Sequence, residues 1–503
     1  MNSKVAIRRL ATGVPGLDAI LGGGLPEFSF NLIVGAPGSG KTTLAHQIMF
    51  ALATPERPAL FFTVLGEPPL KMLRYQQQFA FFDMAKIDDS IRFVNLSDDH
   101  ATTSLDQVLA RITREIKDFS PAFVFVDSFR SVSLEAGHQS NADSTTQTHA
   151  QASESINLRQ FIQQLGIVLS GWQATTFLIG EYASEREPIF TVADGLLSLA
   201  QSVQRNSMVR KIQILKMRGQ ATSPGIHTFR ISSAGIDIFP SAVVHDDTGD
   251  MPRANIPQHN ETRLTMGVPH LDEMLGGGLP SGYSLLVAGP SGSGKTILAT
   301  AFLAEGVRLG EAGIIVAFEQ TPSRSRTHTI DDMVRSGCIG LINTRSLDLS
   351  IDEIVQHLTN LIHKMKATRV VIDSLSGFEL AVAPSFREDF RESLFHMIAV
   401  LSGLGVTVLM TSELEDRYTD LRFSPYGSAF LTDAIIVQRY VEVDSHLKRV
   451  IAVVKVRGSA HSDEIRQFEI NDGAIVIGAP VVDYEGLLGG RPTRVPDPEV
   501  ADD

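Results

Sequence analysis

Apolar runs bounded by glycine or polar turns punctuate this chain, and they come in matched pairs. Phe30-Asn-Leu-Ile-Val34 and Tyr283-Ser-Leu-Leu-Val-Ala288 each lead into a glycine-rich turn, then into the helix-like stretches Thr43–Phe50 and Ile297–Leu303. Phe123-Val-Phe-Val-Asp127 and Val370-Val-Ile-Asp373 form a second pair, each closing on an aspartate. Short, continuously apolar runs are how parallel strands read when both faces of their sheet are covered. Lys211–Leu215 and Arg449–Val454 alternate instead, as strands do when one face is less buried. The pattern predicts an α/β chain of two tandem domains, each a mostly parallel sheet flanked by helices.

The pairing is a duplication. Leu10-Ala-Thr-Gly-Val-Pro-Gly-Leu-Asp18 returns as Leu264-Thr-Met-Gly-Val-Pro-His-Leu-Asp272, and Leu21-Gly-Gly-Gly-Leu-Pro26 returns as Leu275-Gly-Gly-Gly-Leu-Pro280. Asp18 and Asp272 lie 254 residues apart, a period far longer than any solenoid unit, so whole domains are repeated. The expected division is a first domain over 1–245, a linker over 246–262, a second domain over 263–490 and a short acidic tail over 491–503. The linker is polar and carries Asp246-Asp247, Pro252 and Pro257. Inside the first copy, the polar tract 137–148 reads either as a loop lining a central opening or as a tolerated insertion.

The turns carry chemistry. Gly35-Ala-Pro-Gly38-Ser39-Gly40-Lys41-Thr42 and Gly289-Pro-Ser-Gly292-Ser293-Gly294-Lys295-Thr296 both satisfy G-x-x-x-x-G-K-[ST]. Glycines let backbone N–H groups close around phosphate oxygens, the lysine meets the outer phosphates, and the threonine hydroxyl is a Mg²⁺ ligand. The chain is therefore expected to bind a nucleoside triphosphate twice. Asp127 and Asp373 are the candidate carboxylates for the hydrated metal at Thr42 and Thr296. A third shared element, Lys216-Met-Arg218-Gly219 and Lys455-Val-Arg457-Gly458, follows the alternating strands. Residues two apart on a strand share a face, so each pair can meet charge developing on a γ-phosphate; a solvated basic edge strand is the competing reading.

Composition narrows the classes. Net charge is −13, and acidic side chains outnumber basic ones in both halves, which argues against a general nucleic-acid binder. Cys338 is the single cysteine, so neither an internal disulfide nor a cysteine-rich metal site is expected. Met1–Leu10 lacks a signal-peptide core, and no apolar run approaches the roughly 18 residues needed to span a bilayer. A cytoplasmic protein without membrane contact is expected.

Together, T-G-V-x-x-L-D, L-G-G-G-L-P, the phosphate loop and K-x-R-G, each present twice, resemble the KaiC family of RecA-type double ATPases from the cyanobacterial circadian clock. The resemblance covers nearly the whole chain. It implies a homohexamer of two stacked rings, ATP and Mg²⁺ between neighbouring subunits, slow hydrolysis and self-phosphorylation of the second domain. It also implies that Lys216/Arg218 and Lys455/Arg457 reach the γ-phosphate on the adjacent protomer.

Departures from the family pattern bear on activity. The family's adjacent glutamates, which polarise water or a hydroxyl, correspond to Glu319-Gln320 in the second copy and to Leu65-Gly66 in the first. Glu319 is thus the expected base of the second domain, and Glu67 the displaced candidate in the first. The phospho-acceptor pair corresponds to Ala429-Phe430, which has no hydroxyl, with Ser428 and Thr432 nearby. Nine residues follow Arg494, so a segment like the one that recruits the clock's activator is not expected. The reading is a signalling or timing ATPase with vestigial or altered Ser/Thr autokinase activity in the second domain; a scaffold held by nucleotide with little turnover, and a DNA recombination or helicase factor, are the alternatives.

Overall fold

The computed structural model describes residues 7–63, 69–96, 105–127, 164–166, 168, 173–181, 189–204, 207–241, 262–318, 328–343, 350–382, 390–414, 431–482, 484–489 and 492–494. The chain divides into two compact units, Met1–Ser241 and Ala242–Asp503.

In the first unit the strands are β1 (Phe30–Gly35), β2 (Ala59–Thr63), β3 (Ile91–Asn95), β4 (Phe123–Asp127), β5 (Thr175–Gly180), β6 (Gly195–Gln204), β7 (Ser207–Met217), β8 (His227–Ser232) and β9 (Gly235–Phe239). They form one nine-stranded sheet in the order β9-β8-β7-β6-β1-β5-β4-β2-β3. From β6 to β3 all neighbours are parallel, and β7 to β9 continue the sheet antiparallel. Helices α1 (Lys41–Leu52) and α2 (Leu105–Phe119) supply the crossovers that parallel strands require.

The second unit repeats this plan. Its strands are β10 (Ser284–Gly289), β11 (Gly313–Ala317), β12 (Ile339–Asn343), β13 (Arg369–Asp373), β14 (Thr407–Glu413), β15 (Ala434–Val443), β16 (His446–Val456), β17 (Arg466–Asn471) and β18 (Ala474–Pro480). The order is β12-β11-β13-β14-β10-β15-β16-β17-β18, the same topology. Its helices include α3 (Lys295–Arg308), α4 (Ile351–Met365), α5 (Leu375–Ala381) and α6 (Phe390–Gly403). The two mostly parallel sheets, helix-flanked, are the expected tandem RecA-like architecture.

The apolar runs fall where patterning put them. Phe30–Val34 lies in β1, and β4 is buried along its length until Asp127 reaches the edge. β7 and β16, read from alternation, are not edge strands: each lies between two others. The repeated Leu10–Asp18 segment packs into the first unit's core through Leu10, Val14 and Leu17. Asp18 accepts from the Thr12 backbone N–H at 3.0 Å and from the Thr12 hydroxyl at 2.7 Å, and Asp272 accepts from the Met266 N–H at 2.7 Å. No described helix is long and apolar enough to cross a membrane. The linker, the 137–148 tract and the acidic tail fall wholly or almost wholly outside the described residues.

Candidate nucleotide site

Each phosphate loop joins the end of the sheet's middle strand to a helix. β1 ends at Gly35 and α1 begins at Lys41; β10 ends at Gly289 and α3 begins at Lys295. Gly40 and Gly294 are left-handed, at φ 103° and 107°, a conformation that glycine adopts without strain. Side-chain oxygens cap α4 and α5, from Ser350 and Ser374. Neither α1 nor α3 has such a cap. The first-turn N–H groups of these two helices thus open on the loop, where an anion can accept from them.

The lysines are poised in the loop. Lys41 Nζ donates to the carbonyls of Gly35 and Ala36, both at 2.9 Å; Lys295 Nζ donates to those of Gly289 at 2.9 Å and Pro290 at 2.8 Å. Burial lowers both amines from the ordinary lysine range, against the opposing pull of nearby carboxylates: Glu181 and Asp127 on Lys41, Glu413 and Asp373 on Lys295. A partly desolvated ammonium hydrogen-bonded to neutral carbonyls gains by exchanging them for phosphate oxygens. Among the described residues Ser39 Oγ is buried without a hydrogen-bond partner, whereas Ser293 Oγ donates to Gln438 Oε1 at 3.0 Å.

Hydroxyl and carboxylate meet in both copies. Thr42 Oγ1 donates to Asp127 Oδ2 at 2.7 Å, and Thr296 Oγ1 to Asp373 Oδ2 at 2.9 Å. In the second copy Thr411 on β14 also donates to Asp373 Oδ1. One hydroxyl and one carboxylate, both hard oxygen ligands, fit a Mg²⁺ ion that keeps water and phosphate as its other ligands. Among the described residues there is no cluster of three or more His, Cys, Asp or Glu that could hold a metal alone.

The Lys/Arg pairs sit elsewhere. Lys216 pairs across to Leu196, near the start of β6. The phosphate loop leaves from the C-terminal end of β1, where Gly35 lies opposite Leu199, midway along β6. The ladder takes one extra residue just before each lysine, at Leu215 and at Val454, which re-aims the side chain. Lys216 Nζ donates to the carbonyls of Phe190 at 3.0 Å and Thr191 at 3.2 Å, and Arg218 Nη2 joins it on Thr191 at 3.3 Å. Arg218 lies one residue past the end of β7, so this shared carbonyl, rather than strand alternation alone, brings the two cations together.

An aspartate positions each arginine. Asp194 takes Arg218 Nη1 at 3.1 Å and the Phe30 N–H at 3.0 Å. Asp433 takes Arg457 Nη1 at 3.0 Å and the Ser284 N–H at 3.0 Å. Lys455 Nζ donates to the Thr432 carbonyl at 2.6 Å. Burial, then the adjacent arginine, lowers the pKa of Lys216 and Lys455. Sequence reading passed over these aspartates, although an Asp directly before a strand recurs in both copies.

Glu67, Glu319, Ser428, Ala429 and Phe430 lie outside the described residues. Thr432, named above as a nearby hydroxyl, is fully buried. The structure adds Glu181 and Glu413, at the loop-side ends of β5 and β14, which the sequence reading also missed.

Comparison with known proteins agrees with the geometry. The family model described as the KaiC ATPase matches residues 10–243 and again 264–481. The chain is 26% identical to the circadian clock oscillator protein KaiC of Picosynechococcus sp., over 97% of this chain and 93% of that protein. It is 27% identical to the protein of that name from Rippkaea orientalis, over 98% and 93%. The circadian clock protein KaiC3 of Synechocystis sp. is 27% identical, over 98% and 96%. Two phosphate loops on two copies of one sheet, each matched by the same family model, place the chain in the KaiC family of ATPases.

Proposed function

We propose that the chain is a Mg²⁺-dependent ATPase that works as a signalling or timing switch, assembled as the double-ring homohexamer that its family resemblance implies. The observation that carries this reading is the separation, in each unit, of the phosphate loop from the Lys/Arg pair. Leu196 and Leu199, which they lie opposite, are three residues apart, about 10 Å along β6; the loop leaves the Gly35 end of β1, and the Lys/Arg pair lies towards its Phe30 end, where Asp194 takes both Arg218 and the Phe30 N–H. A lysine or arginine side chain on the far end does not reach its own loop. The pair suits the γ-phosphate held by the next copy, a head-to-tail arrangement that closes into a ring.

On this reading Lys41 or Lys295 and the uncapped helix N-termini bind the triphosphate. Thr42 with Asp127, and Thr296 with Asp373, hold Mg²⁺, which neutralises the outer phosphates when bound. Lys216/Arg218 or Lys455/Arg457 from the neighbour stabilise charge on the transferring phosphoryl group. Glu319 is the proposed base of the second domain. Autophosphorylation is not part of the reading: the acceptor pair is Ala429-Phe430, and the Thr432 side chain is buried.

The test incubates wild type, Lys41→Ala and Lys295→Ala with γ-labelled ATP and Mg²⁺, following free phosphate, protein-bound label and particle mass. Free phosphate that falls in each lysine variant, hexameric particles and no bound label support the reading. Stable label on the wild type, lost in Lys295→Ala, would make the second domain an autokinase instead.

A further inference from the structure

β5 lies between the strand that feeds the first phosphate loop and the strand that carries the metal-site aspartate. On one side Val34 pairs with Gly180; on the other Asp127 pairs with Ile179. Glu181, the next residue, therefore emerges beside Gly35 at the loop end of the sheet. Its Oε1 lies 3.9 Å from Lys41 Nζ, with 30% of the side chain exposed. The second copy repeats the placement: Glu413 ends β14, paired with Gly289, and its charge acts on Lys295. Both copies thus keep a glutamate at one register, while the first copy has Leu65-Gly66 in place of adjacent acids.

We propose that Glu181 is the general base of the first domain; Glu413 holds the same register in the second, where Glu319 is the proposed base. This rests on the ATPase reading above. A phosphate-loop lysine contacts the outer phosphates of a bound triphosphate. A carboxylate 3.9 Å from that ammonium stands beside the outer phosphates, where it can accept a hydrogen bond from a water that approaches the γ-phosphorus. The Glu181 carboxylate takes a proton from this water as its oxygen bonds to the γ-phosphorus. The bond from that phosphorus to the β,γ-bridging oxygen breaks, and ADP leaves with the electron pair. The proton then passes from Glu181 to solvent, leaving inorganic phosphate. The same negative charge facing the γ-phosphate opposes ATP binding more than ADP binding.

The experiment uses full-length protein carrying Lys295→Ala, so that phosphate release reports the first domain. Glu181→Gln, Glu181→Asp and Glu67→Gln are compared with this parent for phosphate release and for equilibrium binding of mant-labelled ATP and ADP. Glu181→Gln should lower turnover about a hundredfold or more, in the range of a lost general base, while ATP binding tightens relative to ADP. Glu181→Asp should keep part of the turnover; a loss in Glu67→Gln as large as that in Glu181→Gln would return the base to Glu67 and overturn the assignment. Turnover within threefold of the parent in Glu181→Gln, or ATP and ADP affinities that move together, would overturn the assignment. If the parent releases no Lys41-dependent phosphate, the ATPase reading fails for this domain; the ATP-to-ADP preference still decides whether Glu181 faces the γ-phosphate.

Discussion

The two units share a topology and a loop geometry, yet they fill the space beneath differently. In the first, Phe61, Phe125 and Phe177 sit side by side on β2, β4 and β5, with Phe125 and Phe177 stacked at 4.6 Å. At the matching register of the second stand Ile315, Val371 and Leu409. Charge has changed sides as well. Arg57, just before β2, lies over the Phe123 ring at 4.9 Å and pairs with Glu27 at 2.6 Å. At those two places the second unit has Glu311 and Arg369, paired at 2.6 Å, with Arg369 fully buried over Phe302. One fold thus accepts different apolar side chains at matched core positions, whereas the Lys–Thr–Asp arrangement at the loop keeps its hydrogen bonds to within a few tenths of an ångström.

The sharpest way to break the comparison is at Arg369. Besides Glu311, it donates to the carbonyls of Thr265 at 2.7 Å and Phe302 at 2.9 Å. Arg369→Ala should destabilise the second unit by about 3–5 kcal/mol, the range for one partner removed from a buried pair. Urea unfolding followed by peptide-resolved hydrogen exchange would locate the loss. The double change Arg369→Phe with Glu311→Arg installs the first unit's arginine-over-phenylalanine pair, with Ser281 at the place of Glu27, and should recover part of it. A double variant as unstable as Arg369→Ala would mean that the two solutions are not exchangeable.

A smaller effect is expected from moving the aromatic column towards its counterpart. Phe125→Leu removes buried ring volume between Phe61 and Phe177 and should cost the first unit about 1–3 kcal/mol. The second unit's unfolding should not move. Equal shifts in both would show that the units do not unfold independently.

The smallest expected effect separates the units by pH. His46 is fully buried against Phe61 at 4.6 Å, and burial lowers its pKa to about 4. Its contribution to the first unit is complete above the ordinary 6.5 and is lost as pH falls through about 4. Asp272 has the opposite sign. Burial raises it to about 6 against the lowering effect of the Met266 N–H, so its contribution is complete below 3.8 and is lost as pH rises through about 6. The first unit supplies the Thr12 hydroxyl where the second has Met266. Thermal unfolding across pH 4 to 7 should therefore slope in opposite senses for these two contributions. His46→Leu should flatten the first, and Met266→Thr the second.

The loops, the aspartates and the duplication were legible because each is written locally: glycines at fixed spacing, an apolar run closing on a carboxylate, one phrase repeated. Glu181 escaped because its neighbours, Lys41 and Asp127, come to it only through parallel pairing of strands far apart in sequence. Its own surroundings, Thr175-Thr-Phe-Leu-Ile-Gly-Glu181, read as a strand and its end. Arg369 escaped for a different reason. A charged residue opening a strand reads as exposed, and Glu311, the Thr265 and Phe302 carbonyls and the Phe302 ring, all brought in by packing, make its burial tolerable. The bulges at Leu215 and Val454 leave no trace in composition, since both residues suit an ordinary strand.

The distance between each phosphate loop and the Lys/Arg pair of its own sheet has a consequence for mixtures. On the proposed assembly, a subunit carrying Lys41→Ala lacks the first-domain cradle but still offers its cations, and one carrying Arg218→Ala has the reverse defect. Each is crippled as a pure population. Blended at equal proportions and allowed to exchange subunits, they regenerate some intact junctions, and the recovered activity follows the statistics of who sits beside whom.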